Sequence, residues 1–290
     1  MDARPFRSVL YIPGSKARAL EKARTLATDA IIFDLEDAVA AEEKANARQL
    51  LAETLAATDY GPRAKLVRIN GLETQWARAD LDTLAAARPE AVLLPKANSA
   101  ADVAALAELL DARAETAETR IWTMMETPQG VLNAAEIAAA PRMAGFVMGT
   151  NDLAKDMGCR FRADRLPLIA ALQTCLMAAR AHGLFAVDGV YNAFKDAEGL
   201  RTECEQGRDL GFDGKSLIHP AQLDVANDVF APAPDELDLA RRQIAAWEEA
   251  QSRGEGVAVV DGRIVENLHI ETARRALARA EAIARLEGES

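Results

Sequence analysis

Two carboxylates follow successive apolar runs of the sequence, at the points where those runs end. Glu126 comes directly after Ile-Trp-Thr-Met-Met, and Asp152 follows Phe-Val-Met-Gly-Thr-Asn. If the runs are neighbouring parallel strands of a barrel, their carboxyl ends bring both side chains to the same rim. Two carboxylates that leave the other positions to water and substrate oxygens are a common way to hold Mg²⁺. The pair therefore indicates a metal site, with an ion pair to Arg68 as the competing interpretation.

Polar residues also follow nearly every other apolar run. In chain order they are Pro13-Gly14-Ser15, Glu36-Asp37, Arg68 with Asn70, Lys96, Glu126, Asn151-Asp152, Asp188 and His219. Each one alone is explained as the start of a loop, because loops are the usual place of polar residues. Their recurrence instead predicts one site at the carboxyl ends of the strands.

Eight apolar runs alternate with segments of helical periodicity, such as residues 42–57 and 99–113. The runs are Val9 to Ile12, Ala30 to Phe33, Leu66 to Ile69, Ala91 to Leu94, Ile121 to Met125, Gly145 to Met148, Leu184 to Val187 and Lys215 to Ile218. Their length and mainly apolar composition are typical of parallel strands covered on both faces. No glycine-rich dinucleotide fingerprint follows the first run, so the pattern favours a (β/α)8 TIM barrel over a doubly wound open sheet.

A boundary between two parts of the chain is predicted at residues 230–235, Phe-Ala-Pro-Ala-Pro-Asp, because the prolines there interrupt any helix. We expect a barrel domain over residues 1–230 and a separate C-terminal segment over residues 231–290. In that segment residues 236–252 and 270–287 predict helices. The Asp-Gly pair in Val-Ala-Val-Val-Asp-Gly-Arg-Ile-Val predicts a hairpin between them.

Charge and composition exclude several classes of partner. The 290 residues carry a net charge of −11 without a basic stripe, so no nucleic-acid partner is expected. The three cysteines lie far apart and are odd in number, which argues against a disulfide framework and favours a reducing cytoplasm. The sequence also predicts neither a signal peptide nor contact with a membrane.

Seven motifs together resemble the citrate lyase β-subunit-like family, which includes malyl-CoA lyases and lies within the HpcH/HpaI aldolase superfamily. They are RSVLYIPGS (7–15), IIFDLEDAV (31–39), VRIN (67–70), LPKA (94–97), MMETPQG (124–130), GTNDLAKDMG (149–158) and GKSLIHPAQ (214–222). They cover nearly the whole predicted barrel in the family's order.

The resemblance implies a TIM barrel with a C-terminal lid, assembled as a homotrimer or hexamer in which the lid of one subunit covers a neighbour's site. It makes Glu126 and Asp152 the ligands of Mg²⁺, with Mn²⁺ as an alternative ion. It also implies that Arg68 binds the oxygen of an α-keto acid. Glu36 and Asp37 are then expected to order metal-bound waters.

A CoA thioester, the substrate class that the resemblance implies, requires cations for its phosphates. Lys16, Lys44, Arg48 and Lys96 lie in segments that a barrel places near its mouth, and we expect them to contact CoA. Lys44 and Arg48 are spaced four residues apart on a predicted helix, so solvated surface charges are an equal alternative for these two.

Three further residues have predicted roles. Asp188 matches a family position that lines the site, and we expect it to contact the substrate. His219 is interpreted as structural. In the lid, lyases of the family have an Asp that acts as acid or base on the thioester, and here the matching residue is Glu266, whose stem is one methylene longer.

The main functional hypothesis is a Mg²⁺-dependent carbon–carbon lyase, which cleaves a malyl-CoA, methylmalyl-CoA or citramalyl-CoA thioester to an acyl-CoA and glyoxylate or pyruvate. The first alternative is a (3S)-malyl-CoA thioesterase on the same scaffold, because Glu266 could favour activation of water. The second alternative is a β subunit that acts with an acyl carrier protein, as in citrate lyase.

Overall fold

Eight parallel strands close into a barrel in the computed structural model, which describes residues 4–288. The strands are β1 (Ser8–Pro13), β2 (Ala30–Asp34), β3 (Ala64–Arg68), β4 (Ala91–Leu94), β5 (Arg120–Met125), β6 (Met143–Met148), β7 (Phe185–Asp188) and β8 (Gly214–Leu217). Each strand pairs with the next one along the chain, and β8 pairs with β1. Every predicted apolar run overlaps one of these strands, and the predicted (β/α)8 barrel is confirmed.

Helices connect successive strands, and one more follows β8. They are α1 (Ala17–Ala23), α2 (Lys44–Ala57), α3 (Ala77–Leu84), α4 (Ala100–Asp111), α5 (Pro128–Leu132), α6 (Ala134–Ala138), α7 (Thr150–Met157), α8 (Ile169–Ala181), α9 (Ala197–Leu210) and α10 (Leu223–Phe230). Local sequence sets their ends: Ser99 and Asp102 form a capping box at α4, and Gly211 ends α9 in the left-handed conformation. Within residues 4–288, no helix has both the length and the apolar character needed to cross a bilayer.

Alternate residues of the strands belong to two separate apolar clusters. In β2, Ile32 belongs to the cluster of the barrel interior, whereas Ile31 and Phe33 belong to the larger cluster between strands and helices. Trp122 of β5 fills the interior because its neighbour in register is Gly145, where a Cβ would lie 2.5 Å from the indole ring. The barrel is therefore a packed core with its open space at one end.

The register of the strands aligns the residues at that end. Pro13 of β1 is paired with Asp34 of β2, Asp34 with Arg68 of β3, and Arg68 with Leu93 of β4. Residues paired in register point to the same face of a sheet. Asp34 and Arg68 are thus placed side by side at the mouth of the barrel.

The chain divides into two compact units, and residues 231–288 form most of the smaller one. This unit contains α11 (Pro234–Ser252), β9 (Ala258–Val260), β10 (Arg263–Val265) and α12 (Asn267–Gly288). β9 and β10 pair antiparallel, and Asp261 and Gly262 between them have φ of 51° and 74°. Positive φ at both positions is what a two-residue I′ turn requires, and the predicted hairpin is present.

Candidate active site

A cleft of about 360 Å³ opens at the carboxyl ends of the strands. The residues that line it are Tyr11, Pro13, Asp34, Asp37, Ala38, Arg68, Met124, Glu126, Met148, Gly149, Thr150, Asn151, Asp152, Val190 and Ile218. Four of the predicted site residues are therefore brought together: Arg68, Glu126, Asp152 and Asp37.

Arg68 lies at the base of the cleft and is only 7% exposed. Its Nε and Nη2 donate to the two oxygens of Asp34 at 2.7 and 2.6 Å, which fixes the plane of the guanidinium. Nη1 lies 3.0 Å from Glu36 Oε2 and 3.5 Å from Asp37 Oδ2. Burial disfavours the charged form, but the hydrogen bonds to Asp34 together with the surrounding acidic groups outweigh it and raise the pKa of Arg68 further, so the side chain is a fixed cation.

Glu36 is buried beside that cation and also contacts Lys96, whose Nζ donates to Oε1 at 2.5 Å. Oε2 forms the ion pair with Arg68 but has no aligned hydrogen bond from any described residue. Burial raises the pKa of Glu36 more than Arg68 and Lys96 lower it. Glu36 therefore keeps an acceptor atom that is not fully used by the protein.

Glu126 is 1% exposed, and its Oε1 accepts a hydrogen bond of 2.8 Å from the backbone N–H of Lys96. Gly149 makes space for this side chain, because a Cβ there would lie 2.3 Å from Glu126 Cβ. Burial raises the pKa of Glu126 to about 7. Burying a carboxylate costs free energy, and such burial is expected where a further cation neutralises the charge.

Glu126 and Asp152, which lies in the first turn of α7, face the same cleft. No three His, Cys, Asp or Glu side chains among residues 4–288 are grouped so as to hold a metal ion unaided. Mg²⁺ usually takes one or two carboxylates and keeps water or substrate oxygens in its other positions. The donor set of two carboxylates in an open cleft fits that ion. We refer to five of the ionic side chains at this end of the barrel as the mouth cluster: Asp34, Glu36, Arg68, Lys96 and Glu126.

The four cations predicted for CoA differ in their surroundings. Lys16 is exposed just before α1. Lys44 is 7% exposed, with Nζ donating to the carbonyls of Leu35 and Glu36, and Arg48 pairs with buried Asp80 at 2.8 Å. Because their donors are engaged inside the protein, this arrangement argues against the predicted phosphate contacts of Lys44 and Arg48. Lys44 and Arg48 are also not the solvated surface charges of the alternative interpretation.

Asp188 is 0% exposed and does not reach the cleft. Arg165 and Lys215 donate to it at 2.7 and 3.0 Å, and Lys215 also donates to Glu203 at 2.8 Å. We refer to Arg165, Asp188, Glu203 and Lys215 as the wall cluster. Both oxygens of Asp188 are occupied by buried cations, which argues against the predicted contact with substrate.

His219 and Glu266 lie in different units of the chain. The Nδ1 of His219 accepts from the backbone N–H of Ala221, and its ring stacks on Phe194 at 4.5 Å, an arrangement that agrees with the structural interpretation. Glu266 is exposed immediately before α12, and its backbone N–H donates to His269.

Asp34 and Tyr11 are site residues that sequence reasoning missed. Asp34 orients Arg68, and the Tyr11 ring lies 5.0 Å from the guanidinium carbon of Arg68. Both are in strands: Tyr11 lies within the run Val9 to Ile12, and Asp34 comes directly after the run Ala30 to Phe33. The available signal for Asp34 was a charged residue at the end of a fully apolar run.

Residues 7–220 match the HpcH/HpaI aldolase/citrate lyase family. The chain belongs to this family. A (3S)-malyl-CoA thioesterase of Cereibacter sphaeroides is 66% identical over 283 residues, which are 98% of this chain and 97% of that protein. The citrate lyase subunit beta of Leuconostoc mesenteroides is 38% identical, over 95% of this chain and 93% of that protein.

Among solved structures of this family, CitE from Mycobacterium tuberculosis in complex with magnesium, acetoacetate and coenzyme A superposes with a TM-score of 0.80. The two chains are 33% identical, and the match covers 96% of this chain and 99% of CitE. The predicted family is therefore confirmed, and with it an enzyme scaffold that has magnesium and CoA complexes among its members.

Proposed function

We propose that the protein hydrolyses the thioester bond of (3S)-malyl-CoA. The observation that carries the proposal is the 66% identity, over 98% of the chain, with relatives named as (3S)-malyl-CoA thioesterases. This corresponds to our first alternative from the sequence rather than to the lyase. The charged side chains of the cleft suit such a substrate, because a malyl group carries a carboxylate and a hydroxyl beside its thioester.

In this proposal Glu126 and Asp152 hold Mg²⁺, which supplies positive charge to polarise substrate oxygens. Arg68 is fixed by Asp34, so its cation meets negative charge on the substrate without rearrangement. Glu36 and Asp37 accept hydrogen bonds from water in the cleft. Lys16, exposed at the start of α1, is the candidate contact for the CoA phosphates.

Hydrolysis adds water across the C–S bond. The water oxygen bonds to the thioester carbon, the C–S bond breaks, and the CoA sulfur leaves as a thiolate that takes up a proton. We propose that the Glu266 carboxylate, brought by the C-terminal unit of a neighbouring subunit, accepts the proton of the attacking water. This role requires a homotrimer or hexamer, which light scattering of the purified protein measures directly.

A carbon–carbon lyase is the second candidate. The relationship to citrate lyase subunit beta favours it, as does a fixed guanidinium beside two carboxylates, which suits an oxygen that becomes a ketone. In that case the C–C bond of malyl-CoA breaks to give acetyl-CoA and glyoxylate. No free thiol is released.

The test is to incubate pure protein with (3S)-malyl-CoA and Mg²⁺, and to follow free thiol and keto acid in parallel samples. The expected result is thiol without keto acid, abolished by EDTA and restored by Mg²⁺ or Mn²⁺. Acetyl-CoA, which lacks the hydroxyl and carboxylate, serves as the control substrate and should not be hydrolysed. Keto acid without thiol would instead establish the lyase. Turnover of an acyl-carrier-protein thioester but not of free malyl-CoA would establish the second alternative.

A further inference from the structure

Lys96 has an unusual backbone for a residue with a side chain. It lies two residues after β4 with φ of 50°, in the left-handed region that favours glycine. A non-glycine residue held there is strained, and it persists when surrounding contacts enforce the conformation. Such positions concentrate at functional sites, so its contacts are informative.

Both ends of Lys96 contact carboxylates of the mouth cluster. Its backbone N–H donates to Glu126 Oε1 at 2.8 Å, and its Nζ donates to Glu36 Oε1 at 2.5 Å. Glu126 follows β5 and Glu36 follows β2, so a single residue joins groups from two distant segments of the barrel.

The Lys96 side chain is 43% exposed, but its ammonium group is already paired. Nζ is paired with a carboxylate that is 10% exposed, and a phosphate would have to compete with that ion pair. The described residues that line the cleft do not include Lys96. Its contacts therefore lead to the carboxylates rather than to the open space.

We infer that Lys96 is a positioning residue for the cation site, which sets Glu126 through its backbone and Glu36 through its ammonium group, and is not a contact of the CoA phosphates. The inference rests on the cation site of the proposed function but not on the reaction catalysed there. It replaces the CoA contact predicted for Lys96 from sequence. Residues that orient metal ligands usually contribute about 10- to 100-fold to metal affinity.

The experiment compares Lys96→Met and Lys96→Arg with the control Lys22→Met, which removes an exposed lysine of α1. Calorimetric titration of the full chain with MgCl2 gives the metal affinity, and titration with CoA in metal-free buffer gives the CoA affinity. We expect Lys96→Met to bind Mg²⁺ about 10-fold more weakly. Lys96→Arg should recover part of the loss, and Lys22→Met should match the parent. CoA affinity should be the same in all four proteins.

Two results would overturn the inference: unchanged Mg²⁺ affinity in Lys96→Met, or loss of CoA affinity in that variant. If Lys96→Met fails to fold, as judged by circular dichroism, Lys96→Gly replaces it, because glycine adopts a positive φ without strain and keeps the backbone N–H. The same two affinities decide that variant. Neither readout measures turnover. If the parent protein releases no thiol, the proposed function is refuted, and the two binding affinities still decide this inference.

Discussion

The mouth cluster and the wall cluster are both groups of mainly buried ionic side chains, with Lys96 the exposed member, but they differ in charge balance. The wall cluster pairs two carboxylates with two cations, whereas the mouth cluster sets three carboxylates against two cations. The pKa values follow that difference. Burial raises the pKa of Glu126 to about 7, whereas for Asp188 Lys215 and Arg165 outweigh burial and lower the pKa.

This comparison separates two uses of buried charge in one barrel. Each charge of the wall cluster is neutralised by the protein, so the cluster holds α9 and the segment around Arg165 against the strands. The mouth cluster leaves an excess of negative charge and an acceptor on Glu36 without an aligned hydrogen bond. A bound cation would neutralise this excess of negative charge.

The largest expected effect is on stability, at the wall cluster. Asp188→Asn leaves Lys215 and Arg165 buried with only Glu203 to offset them. Removing one partner of a buried ion pair typically costs about 3–5 kcal/mol, so we expect a loss of that size in the free energy of unfolding, measured with urea. Asp164→Asn, at an exposed carboxylate, should change it little. A stable Asp188→Asn protein with a raised KM would indicate instead that Asp188 contacts the substrate.

The same variant has an expected pH signature. Because the folded-state pKa of Asp188 is lowered, its contribution is present above the ordinary carboxyl pKa of about 4 and is lost as the pH falls through the lowered value. The stability difference between parent and Asp188→Asn should therefore be full at neutral pH and shrink below pH of about 4. A difference that is constant from neutral to acidic pH would contradict this account.

The next effect is on catalysis, at the mouth cluster. Arg68→Lys keeps a positive charge but loses the two parallel bonds to Asp34. We expect kcat/KM for malyl-CoA to fall about 100-fold, as when one preorganised donor to a developing negative charge is removed. Matched melting curves show whether the fold survives. A near-normal kcat/KM would mean that charge alone is required, and that its orientation by Asp34 is not.

The sequence predicted the framework well because the signal is local. Eight mainly apolar runs and an Asp-Gly turn are each visible within ten residues, and the structure contains the corresponding elements. Arg68, Glu126 and Asp152 could be predicted as neighbours because the carboxyl ends of parallel strands converge.

The partners of the remaining charges could not be predicted in the same way, because they depend on strand register and on the packing of helices that are distant in sequence. Arg48 meets Asp80, 32 residues away, and Asp34 meets Arg68, 34 residues away. One local signal was overlooked: Lys215 lies inside an apolar strand, and a lysine buried there requires a carboxylate partner. That signal indicated a structural rather than a substrate-binding role for Asp188.

The smallest expected effect tests whether the position of Glu126 matters as much as its charge. In Gly149→Ala the new Cβ would lie 2.3 Å from Glu126 Cβ and 2.5 Å from its Oε2, so the carboxylate must move. We expect the free energy of unfolding to fall by about 1–3 kcal/mol, as for other overpacked sites. Calorimetry should also show weaker Mg²⁺ binding.

Gly256→Ala, where a Cβ meets no described atom within 4 Å, is the matched control. Unaltered Mg²⁺ affinity in Gly149→Ala would mean that the mouth cluster accepts a displaced Glu126, or that the ion binds elsewhere. Either result would remove the contrast with the wall cluster.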